Sequence, residues 1–325
     1  MSGTKDLLLE VGDLRVYYFT EKGVVKAVDG VDLSIRKGEI LGLAGESGSG
    51  KSTLGYALMR LVPHPGRIVG GTVRFNGEDL MMMSEEDFER KIRWKGISMV
   101  FQGAMNVLNP VMKVGDHIAE ILRVHMGLPK QEGLKRAREL LIMVGLDPEK
   151  VNSYPHELSG GMKQRVVIAM ALALNPPLVI ADEPTSALDV VVQAQILNLL
   201  KSLQRERGIS MILISHDLSL LAEISDSLAI MYAGKLVESG PSDAIYRDPL
   251  HPYTIGLLKS IPRLRGEKFE LKGIPGEPPD LANPPPGCRF YPRCSSAMDV
   301  CKGGVPPVVE VDNERRVACW MVAKR

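Results

Sequence analysis

The chain has 325 residues, 45% of them hydrophobic and 24% charged, with a formal net charge of +1 at pH 7. That length carries one large or two medium domains with full cores, and the near-neutral balance gives no electrostatic case for nucleic acid as the main partner. The longest apolar run, residues 166–174, is about half of what a bilayer-spanning helix needs, and Leu7-Leu8-Leu9 is too short for a signal-peptide core, so the expectation is a soluble, cytoplasmic chain.

Residues 14–19 and 31–35 are strand-like, and the apolar run 40–44 suits a buried strand. A helix is predicted over 52–61, stopped near Pro63. Gly70-Gly71 and Asn76-Gly77 punctuate a hairpin around 72–75. Residues 84–93 read as a short charged helix capped by Ser84, with Asp87 three residues on, and 97–101 as a strand. From Gly103 to about Leu174 the pattern turns helical. Segments 116–124 and 129–144 carry apolar residues at helical spacing, Gly145 ends the second, and 162–174 is a strongly apolar helix closed by Asn175-Pro176-Pro177. Strand character returns at 178–181 and 210–215, with a helix over 190–207 between them, and 228–240 reads as a hairpin turning at Ala233-Gly234. The alternation predicts an α/β fold with a mainly parallel sheet covered by helices. Beyond Pro262 the chain becomes proline-rich, which sets a boundary between a domain of residues 1–262 and a small module of 263–325.

Gly45-Glu46-Ser47-Gly48-Ser49-Gly50-Lys51-Ser52 matches G-x-x-x-x-G-K-[ST], after a predicted strand and before a predicted helix, with Thr53 next in that helix. Glycines let successive N–H groups face phosphate oxygens, and the helix N-terminus adds positive potential. Lys51 supplies charge for the terminal phosphates and the Ser52 hydroxyl suits Mg²⁺. Residues 178–181 deliver Asp182 and Glu183 to the carboxyl end of a strand, Asp182 to hold Mg²⁺ through water and Glu183 to polarise an attacking water. Ser159-Gly160-Gly161 opens a helix and so forms a second anion-binding helix N-terminus. That second terminus fits one triphosphate between two chains facing head to tail.

These residues resemble the ATP-binding-cassette ATPases over about residues 7–260. Leu158-Ser159-Gly160-Gly161-Met162 is similar to that family's signature motif, with Met162 where Gln is usual. The resemblance implies that Gln102 contacts the metal and couples to membrane subunits, that Ser186-Ala187-Leu188-Asp189 is the D-loop, and that His216 is the switch histidine near the γ-phosphate. It implies an adenine-stacking aromatic at Tyr18, with Tyr17 or Phe19 open because the strand register is uncertain. The fold it implies is a P-loop NTPase with an N-terminal antiparallel β-subdomain and an inserted helical subdomain at about 103–174. The other histidines, His64, His117, His125, His156 and His251, read as structural, and Met81-Met82-Met83 as local packing.

All four cysteines, Cys288, Cys294, Cys301 and Cys319, lie after residue 287, with five, six and seventeen residues between them. In a cytoplasmic chain such a set more readily holds metal than disulfides, either Zn²⁺ or an iron–sulfur cluster, and the absence of C-x₂-C pairs favours a cluster. Pro285-Pro286-Gly287-Cys288-Arg289-Phe290-Tyr291-Pro292-Arg293-Cys294, with His251-Pro252-Tyr253-Thr254 and Leu257-Leu258-Lys259-Ser260-Ile261-Pro262 before it, resembles the C-terminal extension of oligopeptide/dipeptide importer ATPase subunits. That resemblance implies a 4Fe–4S cluster on the four cysteines. It also implies ATP and Mg²⁺ as cofactors, a second ATPase subunit (a paralogue or a second copy), two membrane permease subunits and an extracytoplasmic substrate-binding protein. The expected activity is ATP hydrolysis driving uptake of dipeptides or oligopeptides from the cytoplasmic face of the membrane. Two alternatives stay open: the same machine importing oligosaccharides or nickel, and a soluble cassette ATPase of DNA repair or translation.

Overall fold

A computed structural model of the chain describes residues 6–103, 106–260, 273–312 and 314–324. It divides into two compact units, Met1–Met81 with Ile214–Arg325, and Met82–Leu213. In the first unit, β1 (Leu7–Thr20) and β2 (Gly23–Arg36) form a long antiparallel pair. Both strands extend well past the segments predicted for them. Buried Leu9, Val11, Leu14 and Val16 mark the inner face of β1, and bulges shift the two-residue alternation between them. The fully buried strand β3 (Ile40–Ala44) leads through the glycine-rich loop into α1 (Lys51–Leu58). The helix stops three residues short of the predicted end, because Arg60 adopts φ 51° and the Leu61 N–H reaches back to the Tyr56 carbonyl at 2.8 Å. β4 (Gly66–Phe75) and β5 (Glu78–Asp79) make the predicted hairpin, with Asn76 and Gly77 at φ 49° and 84° as a two-residue primed turn requires. The antiparallel sheet runs in the order β2-β1-β4-β5.

The second unit begins with α2 (Glu85–Lys91), where Ser84 Oγ accepts the Asp87 N–H at 3.1 Å, the cap read from the sequence. β6 (Ile97–Val100) then precedes α3 (Val114–Met126), α4 (Lys130–Met143) and α5 (Gly160–Ala171). These three helices pack together, α3 and α4 closely enough that a Cβ at Gly133 would lie 3.0 Å from that of Ala119. Arg165 of α5 donates to the Val144 carbonyl at 2.7 Å and so satisfies the C-terminus of α4. β7 (Leu178–Asp182), α6 (Val190–Arg207) and β8 (Ser210–Ser215) follow. β7 lies between β8 and β6, and β6 and β7 run parallel.

The chain then returns to the first unit with α7 (Leu218–Ile224), β9 (Ser227–Tyr232) and β10 (Lys235–Pro241). β9 pairs in parallel with β3 and antiparallel with β10, and the predicted Ala233-Gly234 turn has φ 48° and 80°. After α8 (Ser242–Arg247) and α9 (Pro252–Lys259), the C-terminal region supplies α10 (Val300–Gly303), β11 (Val308–Asp312), β12 (Arg315–Ala318) and α11 (Trp320–Ala323). β12 adds to β10, with Glu238 opposite Val317, giving the order β11-β12-β10-β9-β3. At that junction Arg315 Nη2 meets Glu238 Oε1 at 2.8 Å, both side chains 6% exposed or less, and the same carboxylate accepts the Leu250 and His251 N–H groups at 3.0 Å each. A buried carboxylate with its oxygens met by an arginine and two backbone N–H groups is a satisfied one, and it ties β12 to β10. The boundary expected near residue 262 falls outside the described residues. Among the described residues no helix is long and apolar enough to cross a membrane.

Candidate active site

The loop from Gly45 to Ser52 leaves the carboxyl end of β3, where parallel sheets place their ligands. Two glycines fix its path. A Cβ at Gly45 (φ 150°) would lie 2.2 Å from the Met231 carbonyl oxygen, and one at Gly50 (φ 104°) 2.1 Å from that of Ala27. Gly50 is the N-cap of α1 and brings no side chain to the cap, which leaves that place open to an anion. Ser47 and Gly48 are exposed, Ser49 and Lys51 buried, and Ser52 and Thr53 half-buried. The Lys51 ammonium turns back on its own loop, donating to the Gly45 and Glu46 carbonyls at 2.7 and 2.9 Å. Tyr18 sets its hydroxyl 3.4 Å from Thr53 Oγ1, whereas Tyr17 donates to Asp29 at 2.5 Å and Phe19 is 45% exposed. The strand register therefore puts Tyr18, of the three aromatics, beside the helix of the phosphate loop. Burial and the Asp29 carboxylate push the Tyr17 phenol up to about 12.

In the second unit Val100 and Ala181 are partners in parallel register, so Gln102 and the Asp182-Glu183 pair leave adjacent strands at one edge. Asp182 is fully buried at the end of β7, and Glu183 is half-buried with φ 50°. The Glu183 carbonyl accepts the Ser186 N–H at 3.1 Å and the Ser186 hydroxyl at 3.0 Å, which closes the turn into residues 186–189. Asp189 caps α6 by accepting the Val192 N–H at 3.0 Å. Ser159 caps α5, accepting the Met162 N–H at a long 3.4 Å. α5 starts at Gly160, two residues before the predicted start, so both signature glycines lie in its first turn. The two helix N-termini are neighbours, since a Cβ at Gly161 would lie 2.5 Å from Val192 Cγ1. His216 is exposed directly after β8, and Asp217 behind it caps α7 through the Ser219 and Leu220 N–H groups.

Two of the histidines read as structural do such work. His117 accepts the Asn109 N–H at 2.9 Å. His251 is 1% exposed and caps α9 as a neutral ring, burial driving its pKa down to about 3. The four cysteines line one small cavity with His251, Phe290 and Trp320. All are free thiols, and burial pushes Cys288 up to about 11 and raises Cys294 and Cys319. Among the described residues no group of three or more His, Cys, Asp or Glu side chains is arranged to hold a metal ion. What sequence reasoning missed are the partners of Glu46. Its carboxylate takes both Arg293 Nη atoms at 2.6 and 2.9 Å, and its N–H donates to the Tyr253 hydroxyl at 2.8 Å. Arg293 and Tyr253 stand in motifs already singled out, but a contact across 247 residues leaves no trace in local spacing.

Residues 28–186 match the ABC transporter family and residues 237–301 match the oligopeptide/dipeptide transporter C-terminal region. The oligopeptide transport ATP-binding protein OppD of Bacillus subtilis is 51% identical over 320 residues, covering 97% of this chain and 89% of that one. The dipeptide transport ATP-binding protein DppD of Caldanaerobacter subterraneus is 47% identical over 317 residues and 97% of both chains. Among solved structures, a dimeric bacterial ABC transporter cassette superposes with a TM-score of 0.64 at 30% identity, over 72% of this chain and 99% of that one. The same cassette in a post-hydrolysis state bound to ADP and phosphate gives 0.63 at 29% identity, with the same coverage. The chain belongs to the ABC transporter ATPases, in the group that carries the oligopeptide/dipeptide transporter C-terminal region.

Proposed function

We propose that this chain is the ATP-hydrolysing subunit of a peptide importer, taking up dipeptides or oligopeptides through partner membrane subunits. The observation that carries the reading is the pair of glycine-rich helix N-termini, one at Gly50 behind the phosphate loop and one at Ser159-Gly160-Gly161. Mg·ATP binds at residues 45–53 with its adenine against Tyr18, its metal held by Ser52, Gln102 and, through water, Asp182. Lys51 neutralises the terminal phosphates. Glu183 orients the attacking water, and His216 stands by the γ-phosphate. Phosphoryl transfer asks mainly for positioning and charge stabilisation, which one carboxylate and a set of donors supply. Ser159, Gly160 and Gly161 close over the nucleotide of a facing ATPase, and Asp189 meets that subunit beside the exposed Val190 and Val191, 80% and 68% exposed. ATP joins the two subunits, hydrolysis releases them, and that cycle drives the permeases.

The chain works peripherally on the cytoplasmic face of the membrane, with residues 1–262 as the nucleotide-binding domain and 263–325 as its extension. The helical subdomain carries the permease-docking surface. In support, Val111 and Val124 are 79% and 65% exposed, and Val111, Met112, Ala119 and Arg123 line a groove there. A second ATPase subunit (paralogue or self), two permeases and a substrate-binding protein outside the membrane complete the importer. Cys288, Cys294, Cys301 and Cys319 are the donors for a 4Fe–4S cluster, with Zn²⁺ as the alternative. The reading is supported by their sharing one cavity, and binding would draw off the protons that burial now holds on Cys288, Cys294 and Cys319.

Glu183→Gln tests the core of the reading. It keeps ATP affinity and lowers turnover by about 10²-fold or more, because only the group that orients the water is changed. Hydrolysis at the parental rate would remove Glu183 from its role. Iron and sulfide analysis of anaerobically purified protein tests the cluster. Brown protein with about four irons per chain is expected, and colourless protein with stoichiometric zinc would replace it.

A further inference from the structure

Glu46 presents a physical difficulty. It puts a carboxylate inside a loop whose task is to hold a triphosphate, and like charges at such range repel. The structure answers it from the C-terminal region. The turn Tyr291–Arg293 presents Arg293, whose side chain is 5% exposed, and the guanidinium grips the Glu46 carboxylate with both Nη atoms. Its remaining donors are used as well. Nε donates to the Pro275 carbonyl at 2.9 Å, Nη1 to the Tyr232 hydroxyl at 3.3 Å and Nη2 to the Ile274 carbonyl at 3.5 Å. A fork with all five N–H groups engaged has one orientation, so it fixes Glu46 rather than merely pairing its charge. The Tyr232 ring packs against Tyr253 and Phe290 at 4.6 and 5.1 Å, and Tyr253 holds the Glu46 N–H.

A second contact runs from the same segment to the same loop. Arg289 donates to the Ala233 carbonyl and pairs with Asp29, and the next residue, Gly234, donates its N–H to the Ser49 carbonyl at 2.9 Å. Residues 288–294 thus touch the phosphate loop at Glu46 and, through one turn, at Ser49. We propose that Arg293 is a positioning residue for nucleotide binding, which neutralises Glu46 and holds it so that the phosphate loop presents its N–H groups to the triphosphate. The C-terminal region is then part of the affinity of the ATP site. The inference rests on residues 45–52 being that loop.

The test is the equilibrium Kd of the full chain for Mg·ADP and for a slowly hydrolysed Mg·ATP analogue, with thermal melts run alongside. Arg293→Gln weakens binding about tenfold, and Arg293→Lys, which keeps the charge and loses the fork, about threefold. The Arg293→Gln penalty shrinks to less than about twofold when Glu46→Gln is already present, because the repelling carboxylate has gone. A merely structural bridge would lower the melting temperature in both backgrounds and leave Kd within about twofold of the parent, and that result would overturn the proposal. If Arg293→Gln does not fold, Arg293→Lys decides by the same criterion. Lys51→Ala separates the two levels: unchanged binding in that variant would strike at the phosphate loop itself, whereas its loss together with intact binding in the Arg293 variants would strike at the proposal alone.

Discussion

Gly161 shows how much of the second unit depends on a single missing carbon. The first turn of α5 and the start of α6 lie so close that a Cβ at position 161 would sit 2.5 Å from Val192 Cγ1. Valine has no flexible end to swing away, so either the helix ends separate or the side chain leaves its rotamer. Gly161→Ala is expected to cost about 1–3 kcal/mol in denaturant unfolding. Adding Val192→Ala should return most of that loss by clearing the space. Failure of the second change to restore stability would mean that the backbone, not the contact with Val192, sets the requirement. The neighbouring caps are ordinary in chemistry and unusual in place. Ser159 and Asp189 each satisfy a backbone N–H of their own helix, and each is also a residue expected to meet a facing subunit.

At the scale of elements, periodicity and punctuation explain what sequence reading found. The helix over 190–207 was legible in full because it has a cap at Asp189, a glycine stop at Gly208 with φ 65°, and a buried stripe of Ile196, Leu200 and Leu203. Leu200, 1% exposed, carries that stripe, and Leu200→Ala should cost roughly 2–5 kcal/mol. Glu206→Ala on the exposed side should shift stability by under about 0.5 kcal/mol. Equal losses from both would show that packing does not hold the helix. Strand lengths were less legible. β1 reaches from Leu7 to Thr20 through bulges between Leu7 and Leu9 and between Val11 and Leu14, and each bulge breaks the two-residue period that a reader follows. The C-terminal strands were missed for a related reason. β11 has no buried residue, and β12 is four residues long and owes its place to Arg315 meeting Glu238 across 77 residues. The motifs proposed for the ATP site could be read locally where glycines and a strand-to-helix order stand in one run of sequence, as at residues 45–52 and 158–162. The partners of Glu46 were not, because only the fold brings them near.

At the scale of the whole molecule, the two helix N-termini proposed for phosphate fall one in each compact unit, Gly50 in the first and Ser159 in the second. In the proposed function they serve different nucleotides: Gly50 and Lys51 the ATP of their own chain, Ser159 the ATP of a facing ATPase. The C-terminal region, tied in by β12 and by Arg293, belongs to the first of these sites rather than to a separate appendage. The most direct measurement compares Ser159→Arg with Lys51→Ala for ATP affinity in the isolated chain and for hydrolysis with the partner ATPase present. The account predicts that Lys51→Ala loses both, whereas Ser159→Arg binds ATP within about twofold of the parent and loses hydrolysis by about 10²-fold or more. If Ser159→Arg weakens ATP binding in the isolated chain as Lys51→Ala does, or hydrolyses ATP at the parental rate beside its partner, the shared site is contradicted.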